Sequence, residues 1–285
     1  MTKFNILPLA IVLLFTASCG SGTGDSGSAQ DSTTVTKDTL ANDATSASEV
    51  VMEKNGIRLT KVNNSPDFPE AKLKLLSPKS NEWVKTGKVE FKTSVENYEL
   101  KKQTVRVYDH CANSEQGQHI HLILNNEPYT AHYDTTFERD LQPGGYVALL
   151  FLSRSYHESL KHKDAYVVDY FSVGNKAVKN DVDLKAPLLF YSRPKGEYKG
   201  EKETKKVLLD YFLANTELSE TGNKVKATID GTEFVLTKWE PYFIEGLPLG
   251  EHTIKLELID KDGKTIPNKF NPVERKITLS PAPAQ

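Results

Sequence analysis

The sequence predicts an all-β protein built from two similar β-sandwich domains in tandem after a disordered tether, and three observations carry that prediction. Short runs with two-residue alternation, bounded by turn residues, fill most of the chain, and no long helical periodicity appears. One hydrophobic pattern occurs twice. Each copy spans about 100 residues with seven or so short strands, the signature of an immunoglobulin-like sandwich, with a jelly roll or small barrel as the alternative. Composition is compatible with this plan. A chain of 285 residues with 38% hydrophobic side chains has room for two cores. Its net charge of −2 argues against a nucleic-acid backbone as partner. Two cysteines exclude a disulfide scaffold and a four-cysteine zinc module.

Taken in chain order, Lys3 precedes an apolar run from Ile6 to Phe15 that is too short for a permanent membrane span and reads as a signal sequence over 1–18. The run ends in Thr16-Ala17-Ser18-Cys19-Gly20, which resembles a bacterial lipoprotein signal, with Thr16 where such signals usually carry Leu. The resemblance implies that Cys19 is lipidated and that the mature protein is anchored to a membrane. Residues 19–49 are almost entirely Gly, Ser, Thr, Ala and Asp and cannot repay the entropy of folding. A tether of that length reaches on the order of 30 Å. Next, Val50 to Lys54 and Ile57 to Thr60 flank Asn55-Gly56, a pair suited to the positive φ values of a type I′ turn, so 50–70 reads as a β-hairpin and connector.

The repeat sets the rest. Val89, Phe91, Thr93 and Val95 followed by Asn97-Tyr98-Glu99-Leu100 recur as Val207, Leu209, Tyr211 and Leu213 followed by Asn215-Thr216-Glu217-Leu218. Ile120, Leu122 and Leu124 match Val225, Ala227 and Ile229, and Val167, Phe171 and Val173 match Val273, Ile277 and Leu279. The register implies about 13 extra residues in the first copy, around His110 to Gln116. Domains are expected at 71–175 and 185–281, joined by a linker over 176–184. The second copy serves as an internal control for the first. Its outward positions Lys224, Lys226, Lys255, Glu257, Glu274 and Lys276 make an ordinary solvated face. At the equivalent places the first copy has His119, His121, Leu149, Phe151, Val168 and Tyr170, an apolar stripe that something must cover. The hairpin or the second domain is the expected cover.

Six of the seven histidines lie in the first domain. Sandwich topology gathers His119, His132 and the segment Ser153 to Ser159 at one end, where binding loops usually cluster. Two chemistries compete there. His119 and His121 share one strand face, and His132 or His157 would complete a three-nitrogen site, with Cys111 or Glu158 as a fourth ligand; imidazoles in that number suit Zn²⁺ or Cu²⁺. Alternatively Arg154, with Tyr133, Ser153, Ser155, Tyr156, His157 and Glu158, forms a pocket for a carboxylate or phosphate. Lys161, His162 and Lys163 read as a solvated loop, and Asp260, Asp262 and Gly263 as a hairpin turn. No Gly-rich phosphate loop, nucleophile elbow or H-E-x-x-H is present.

Gly117-Gln118-His119-Ile120-His121-Leu122, Tyr129 with His132-Tyr133, Ser153 to Ser159 and Ala165-Tyr166-Val167-Val168 resemble segments of bacterial envelope lipoproteins named phosphopeptide-binding proteins. The resemblance implies an anionic ligand at Arg154 and its serines. The combined expectation is a non-enzymatic binding protein, anchored in the bacterial envelope at the outer membrane, with a transition metal or an anion at the histidine-rich end. A structural or assembly lipoprotein acting through another envelope protein is the alternative, and a metal-dependent hydrolase the third.

Overall fold

The computed structural model describes residues 49–105, 108, 111–174 and 176–283. The signal, Cys19 and nearly all of the tether lie outside the described residues, as does His110. In chain order the strands are β1 (Val50–Lys54), β2 (Ile57–Lys61), β3 (Lys72–Ser77), β4 (Trp83–Val84), β5 (Gly87–Glu96), β6 (His119–Leu124), β7 (Thr130–His132), β8 (Thr136–Leu141), β9 (Gly144–Ser153) and β10 (Tyr166–Val173). They continue as β11 (Leu188–Arg193), β12 (Gly196–Lys199), β13 (Val207–Ala214), β14 (Lys224–Ile229), β15 (Thr232–Leu236), β16 (Tyr242–Glu245), β17 (Gly250–Ile259) and β18 (Val273–Ser280). One 3₁₀ turn (Lys163–Ala165) and one short helix, α1 (Glu201–Thr204), interrupt them.

The repeat of the sequence is a repeat of the fold. The first sandwich sets β3-β5-β8 against β4-β10-β9-β6-β7, and the second sets β11-β13-β16 against β12-β18-β17-β14-β15. The parallel pairing of β4 with β10 recurs as β12 with β18. Asn97 and Asn215, matched in the sequence, both leave their strands with φ near +55°, at 55° and 56°. The extra residues fall between β5 and β6, where the first copy runs from 97 to 118 and the second only from 215 to 223.

The hairpin forms on Asn55 (φ 53°) and Gly56 (φ 79°) as its turn chemistry requires. It does not cover the first sandwich. Instead β2 pairs antiparallel with β16, widening the second sandwich's smaller sheet to five strands, and Ile57 and Leu59 enter that sandwich's core. Gly246, at φ 89°, permits the approach, because any side chain there would collide with the Gly56 carbonyl.

The described residues therefore form a stack of four sheets with three apolar layers between them. The first layer joins Leu73, Phe91, Ile120, Leu122, Leu150 and Phe171 inside the first sandwich. The last joins Leu59, Tyr191, Leu209, Tyr211, Leu256 and Ile277 inside the second. The middle layer is the seam between sandwiches: Ile123, Val147, Leu149 and Phe151 meet Leu188, Phe190, Phe212 and Ala214. So the second domain is what covers the apolar stripe. Strands at the seam are buried on both faces and lose their alternation, as in β9 and in β13, whose eight residues are all buried. Polar groups fix the fit. Asn126 donates to the carbonyls of Leu189 (3.2 Å) and Phe270 (3.1 Å) and accepts from the Tyr191 N–H (2.8 Å), clamping the turn after β6 onto the second sandwich.

Phe212 sits at the centre of the seam, stacked on Phe151 at 4.9 Å and edge-on to Trp239 at 5.0 Å. Phe212→Ala is expected to lower the unfolding free energy by about 3–5 kcal/mol, read from urea denaturation, whereas a loss under about 1 kcal/mol would show that the seam contributes little.

Candidate metal centre

β6 runs through the interior of its sheet, and alternation sends Ile120 and Leu122 into the first core while His119, His121 and Ile123 point at the second sandwich. His119 lies opposite Ser153 and His121 opposite Phe151, on β9. Both rings are fully buried.

His157 arrives from the turn that follows β9. Ser153 bridges Ser159, the Arg154 N–H donates to the Glu158 carbonyl (2.9 Å), the His157 N–H to the Arg154 carbonyl (2.9 Å) and the Leu160 N–H to the Leu152 carbonyl (2.9 Å). The second sandwich has the same turn. Ile259 bridges Thr265, and N–H groups of Asp260, Gly263 and Ile266 donate to the carbonyls of Lys264, Asp260 and Leu258. In that turn the residue with left-handed backbone is Gly263 (φ 80°), and its counterpart in the first sandwich is His157 (φ 69°). Placing a non-glycine residue there costs roughly 1–2 kcal/mol. From that position the imidazole lies beside those of His119 and His121.

The three rings converge. His119 Nε2 is 2.7 Å from His121 Nε2 and 3.2 Å from His157 Nδ1, and all three ligand atoms lie within 4.8 Å of one another. His119 Nδ1 is 2.7 Å from the Gly117 carbonyl, which can only accept, so the proton sits on Nδ1 and Nε2 presents a lone pair. Gly117 (φ 85°) holds that carbonyl in place because a side chain would strike the backbone of Lys101 and Lys102. Burial pulls all three rings down, His119 to about 4 and His121 and His157 well below the ordinary value of 6.5, with Arg193 adding to each shift and Lys195 to the last two. The rings are therefore neutral at physiological pH, which is their ligating form.

His132 does not join them. It pairs with Ile120 rather than with a histidine position, so its ring lies on the opposite face, stacked on Phe137 at 3.6 Å and bonded to Thr130 Oγ1 at 2.8 Å. Neither Cys111 nor Glu158 supplies a fourth ligand: Cys111 is buried with Val62, Tyr156, Leu208 and Phe243, and Glu158 is bound to Arg154.

Arg154 is likewise committed to its own chain. Its Nε and Nη2 donate to the Pro66 carbonyl (2.9 and 2.6 Å), and Nη1 donates to Glu158 Oε1 (3.0 Å) and the Ser159 carbonyl (3.3 Å). The predicted anion pocket is thus filled by an internal carboxylate and two carbonyls, and the guanidinium clips the connector to the first sandwich. Glu158 also bonds Ser65. Ser155 exchanges bonds with Thr104, Ser153 Oγ donates to the Arg154 carbonyl, and Tyr156 packs edge-on against Tyr108. Of that set, Ser153 lies opposite His119 on β9, His157 is itself one of the three histidines, and Tyr133 borders them; the Tyr133 ring is 5.1 Å from that of His119, and its hydroxyl shares a 2.7 Å bond with Ser114.

Two features escaped the sequence reading. Lys161 is no solvated loop residue: its ammonium bonds Asp210 (2.6 Å), Ser159 (2.8 Å) and the Tyr211 carbonyl (2.8 Å) across the seam. Tyr129, matched to no special role, stacks on His121 with ring centroids 3.6 Å apart and places its hydroxyl 3.4 Å from His157 Nδ1. Around it the second sandwich contributes Lys195, whose Nζ is 3.8 Å from the ring centre, and Arg193, 5.4 Å away.

No protein-family model and no curated protein matches the chain. Among solved structures it is similar to the fibronectin(III)-like modules of Clostridium thermocellum CbhA (14% identity, covering 75% of this chain and 96% of that one, TM-score 0.27). It is also similar to a segment of two fibronectin type-III domains of chicken tenascin (11%, 73% and 98%, TM-score 0.19). A third is the Bacteroides ovatus protein SGBP-B of a mixed-linkage glucan utilization locus, solved with a mixed-linkage heptasaccharide (11%, 73% and 47%, TM-score 0.23).

The depressed histidines make stability depend on pH. Between the ordinary value of 6.5 and about 4, the unfolded chain holds a proton on His119 that the folded chain excludes, so stability falls as pH falls through that window. His132, which burial also lowers to about 4, adds to the loss in the same window, and His121 and His157, lower still, extend it further into acid. The unfolding free energy is expected to be about 2–8 kcal/mol smaller at about pH 5 than at about pH 7.5 in urea titrations, and equal values would show that the rings titrate as in the unfolded chain.

Proposed function

We propose that this chain is a non-enzymatic binding protein of the bacterial envelope, anchored to a membrane through Cys19, whose first sandwich holds Zn²⁺ or Cu²⁺ on His119, His121 and His157. The observation that carries the reading is the occupant of the left-handed turn position. The same turn is built with Gly263 in one sandwich and with His157 in the other, so at the position the turn gives to glycine the first sandwich carries the imidazole that joins His119 and His121. The other two replace Lys224 and Lys226 of the sister sheet.

The donor set fits a small transition ion. At metal–nitrogen distances of about 2.0–2.1 Å, tetrahedral ligand atoms lie roughly 3.3–3.4 Å apart. The His119–His157 separation of 3.2 Å already meets this, and the 2.7 Å His119–His121 separation has to open by about half an ångström. The metal-free contact requires His121 Nε2–H to donate to His119. Coordination moves that proton to Nδ1, which is buried without a partner among the described residues. An unmet donor costs about 1–3 kcal/mol, small beside the roughly 10–16 kcal/mol that structural zinc supplies.

His157→Gly separates the site from the fold, because the variant restores the residue the turn prefers. Calorimetric titration and elemental analysis of the full-length protein are expected to give one ion per chain. His157→Gly should bind at least about tenfold more weakly with undiminished thermal stability, and His119→Ala/His121→Ala should bind none. Wild-type protein that retains no metal above background at neutral pH overturns the reading. For the anchor, labelling with a fatty-acid precursor in a bacterial host is expected to mark the wild type and not Cys19→Ala; equal labelling removes Cys19 as the attachment point.

A further inference from the structure

Apart from the rings themselves, the charged groups acting on the three imidazoles are positive: Arg193 on all of them, and Lys195 on His121 and His157. No carboxylate or thiolate joins the three donors among the described residues. We infer that the ion of this centre is copper held in its monovalent state, because the seam that buries the imidazoles admits one positive charge far more readily than two. This rests on the three-histidine centre proposed above and narrows its ion.

Charge separates the oxidation states. The cost of taking an ion out of water grows with the square of its charge, so a dication costs roughly four times as much as a monocation of the same size. Its repulsion from Arg193 and Lys195 is about twice as large. A carboxylate or thiolate ligand would offset both effects, and the centre has neither. Nor are the two cations neutralised elsewhere. Arg193 donates to the Tyr198 hydroxyl at 2.8 Å and Lys195 to the Tyr129 carbonyl at 2.7 Å, and among the described residues neither is paired with a carboxylate.

Coordination points the same way. Zn²⁺ on three protein ligands takes a fourth from water or substrate, whereas Cu⁺ accommodates three nitrogens in a plane. Such nitrogens lie roughly 3.5 Å apart at bonds of about 2.0 Å, a spacing that His119 and His157 approach at 3.2 Å. Rings occupy the surroundings: Tyr129 stacks on His121, Phe151 stands edge-on to it at 4.9 Å, and Tyr133 lies 5.1 Å from His119. The 11° stack keeps the Tyr129 hydroxyl out of the His121 plane, and the Tyr133 hydroxyl is bonded to Ser114, so neither phenol serves as a fourth donor. Cu²⁺ entering the site needs one electron, which an external low-molecular-weight thiol supplies: two bound Cu²⁺ and two thiols give two bound Cu⁺, one disulfide and two protons.

Full-length wild type is loaded with Cu²⁺, and its copper couple is measured by redox titration beside that of copper in imidazole solution. The bound couple is expected to lie positive of the imidazole reference, and protein treated with a thiol is expected to keep its copper in a form silent in electron paramagnetic resonance. Lys195→Gln removes one half-buried charge and leaves the three histidines in place. It should raise the affinity for Cu²⁺ relative to Cu⁺ by about threefold or more, with thermal unfolding of the metal-free variant as a folding check. A bound couple at or below the imidazole reference overturns the inference and leaves the histidine centre standing. So does an unchanged affinity ratio in the folded variant, or wild type that takes Zn²⁺ in preference to Cu⁺ when both are offered under reducing conditions. Wild type that binds none of Cu⁺, Cu²⁺ and Zn²⁺ overturns the centre and the inference together.

Discussion

Burial of one sheet's outer face against another's is the constraint on which the rest of this molecule depends. An isolated sandwich keeps its outer faces polar. Here β6 and β9 of the first sandwich are pressed onto β11 and β13 of the second, and the seam is apolar from Ile123 to Phe151 on one side and from Leu188 to Phe212 on the other. Two consequences follow for the histidines. Their rings lose water and so stay neutral, and they gain neighbours that no single sandwich could provide, namely Arg193 and Lys195. The seam thus sets both the protonation state and the electrostatic field of the candidate centre.

The sister sandwich shows what the same backbone does in water. Lys226 occupies the position of His121 and pairs at 2.8 Å with Glu257, which occupies the position of Phe151. Glu257 is largely buried and Lys226 partly exposed, so the pair still reaches water at the sheet surface; it cannot be transplanted into the seam, where desolvation would exceed the attraction between the two charges. Histidine is the residue that reconciles the two demands: neutral enough to be buried, yet still carrying a lone pair. That a third histidine appears at the left-handed turn position turns a change of surface into a constellation.

Much of this was readable in the sequence, for identifiable reasons. Asn55-Gly56 announces its hairpin because few other pairs accept two positive φ values. The tandem sandwiches are visible because each repeats the same alternation, and His119 and His121 share a face by parity alone. His132 shows where parity fails. Its face depends on register with β6, which the turn through Asn125 and Asn126, both at positive φ, sets so that His132 meets Ile120. A shift of one residue would have reversed the result. Tyr129, Arg193 and Lys195 were hidden for another reason: their role comes from contacts across the seam, and sequence spacing carries no information about which outer face meets which. Arg154 looked like an anion receptor because its partners, Pro66 and Glu158, become neighbours only after the connector has docked.

The polar groups that the anion reading singled out acquire a purpose once they are seen as supports. The turn bearing His157 is held from three sides: Arg154 and Glu158 tie it to the connector, Ser155 ties it to Thr104, and Lys161 ties its far end to Asp210 of the second sandwich. Buried ion pairs of this kind add little net stability, since desolvation offsets their attraction; what they specify is geometry. A side chain on a free loop tip would spread over many positions, and a metal site formed from it would lose affinity in ordering it. Here the backbone at His157 is over-determined by its surroundings, so the imidazole is held beside those of His119 and His121. The cost of ordering is met in folding, by contacts that never touch the centre.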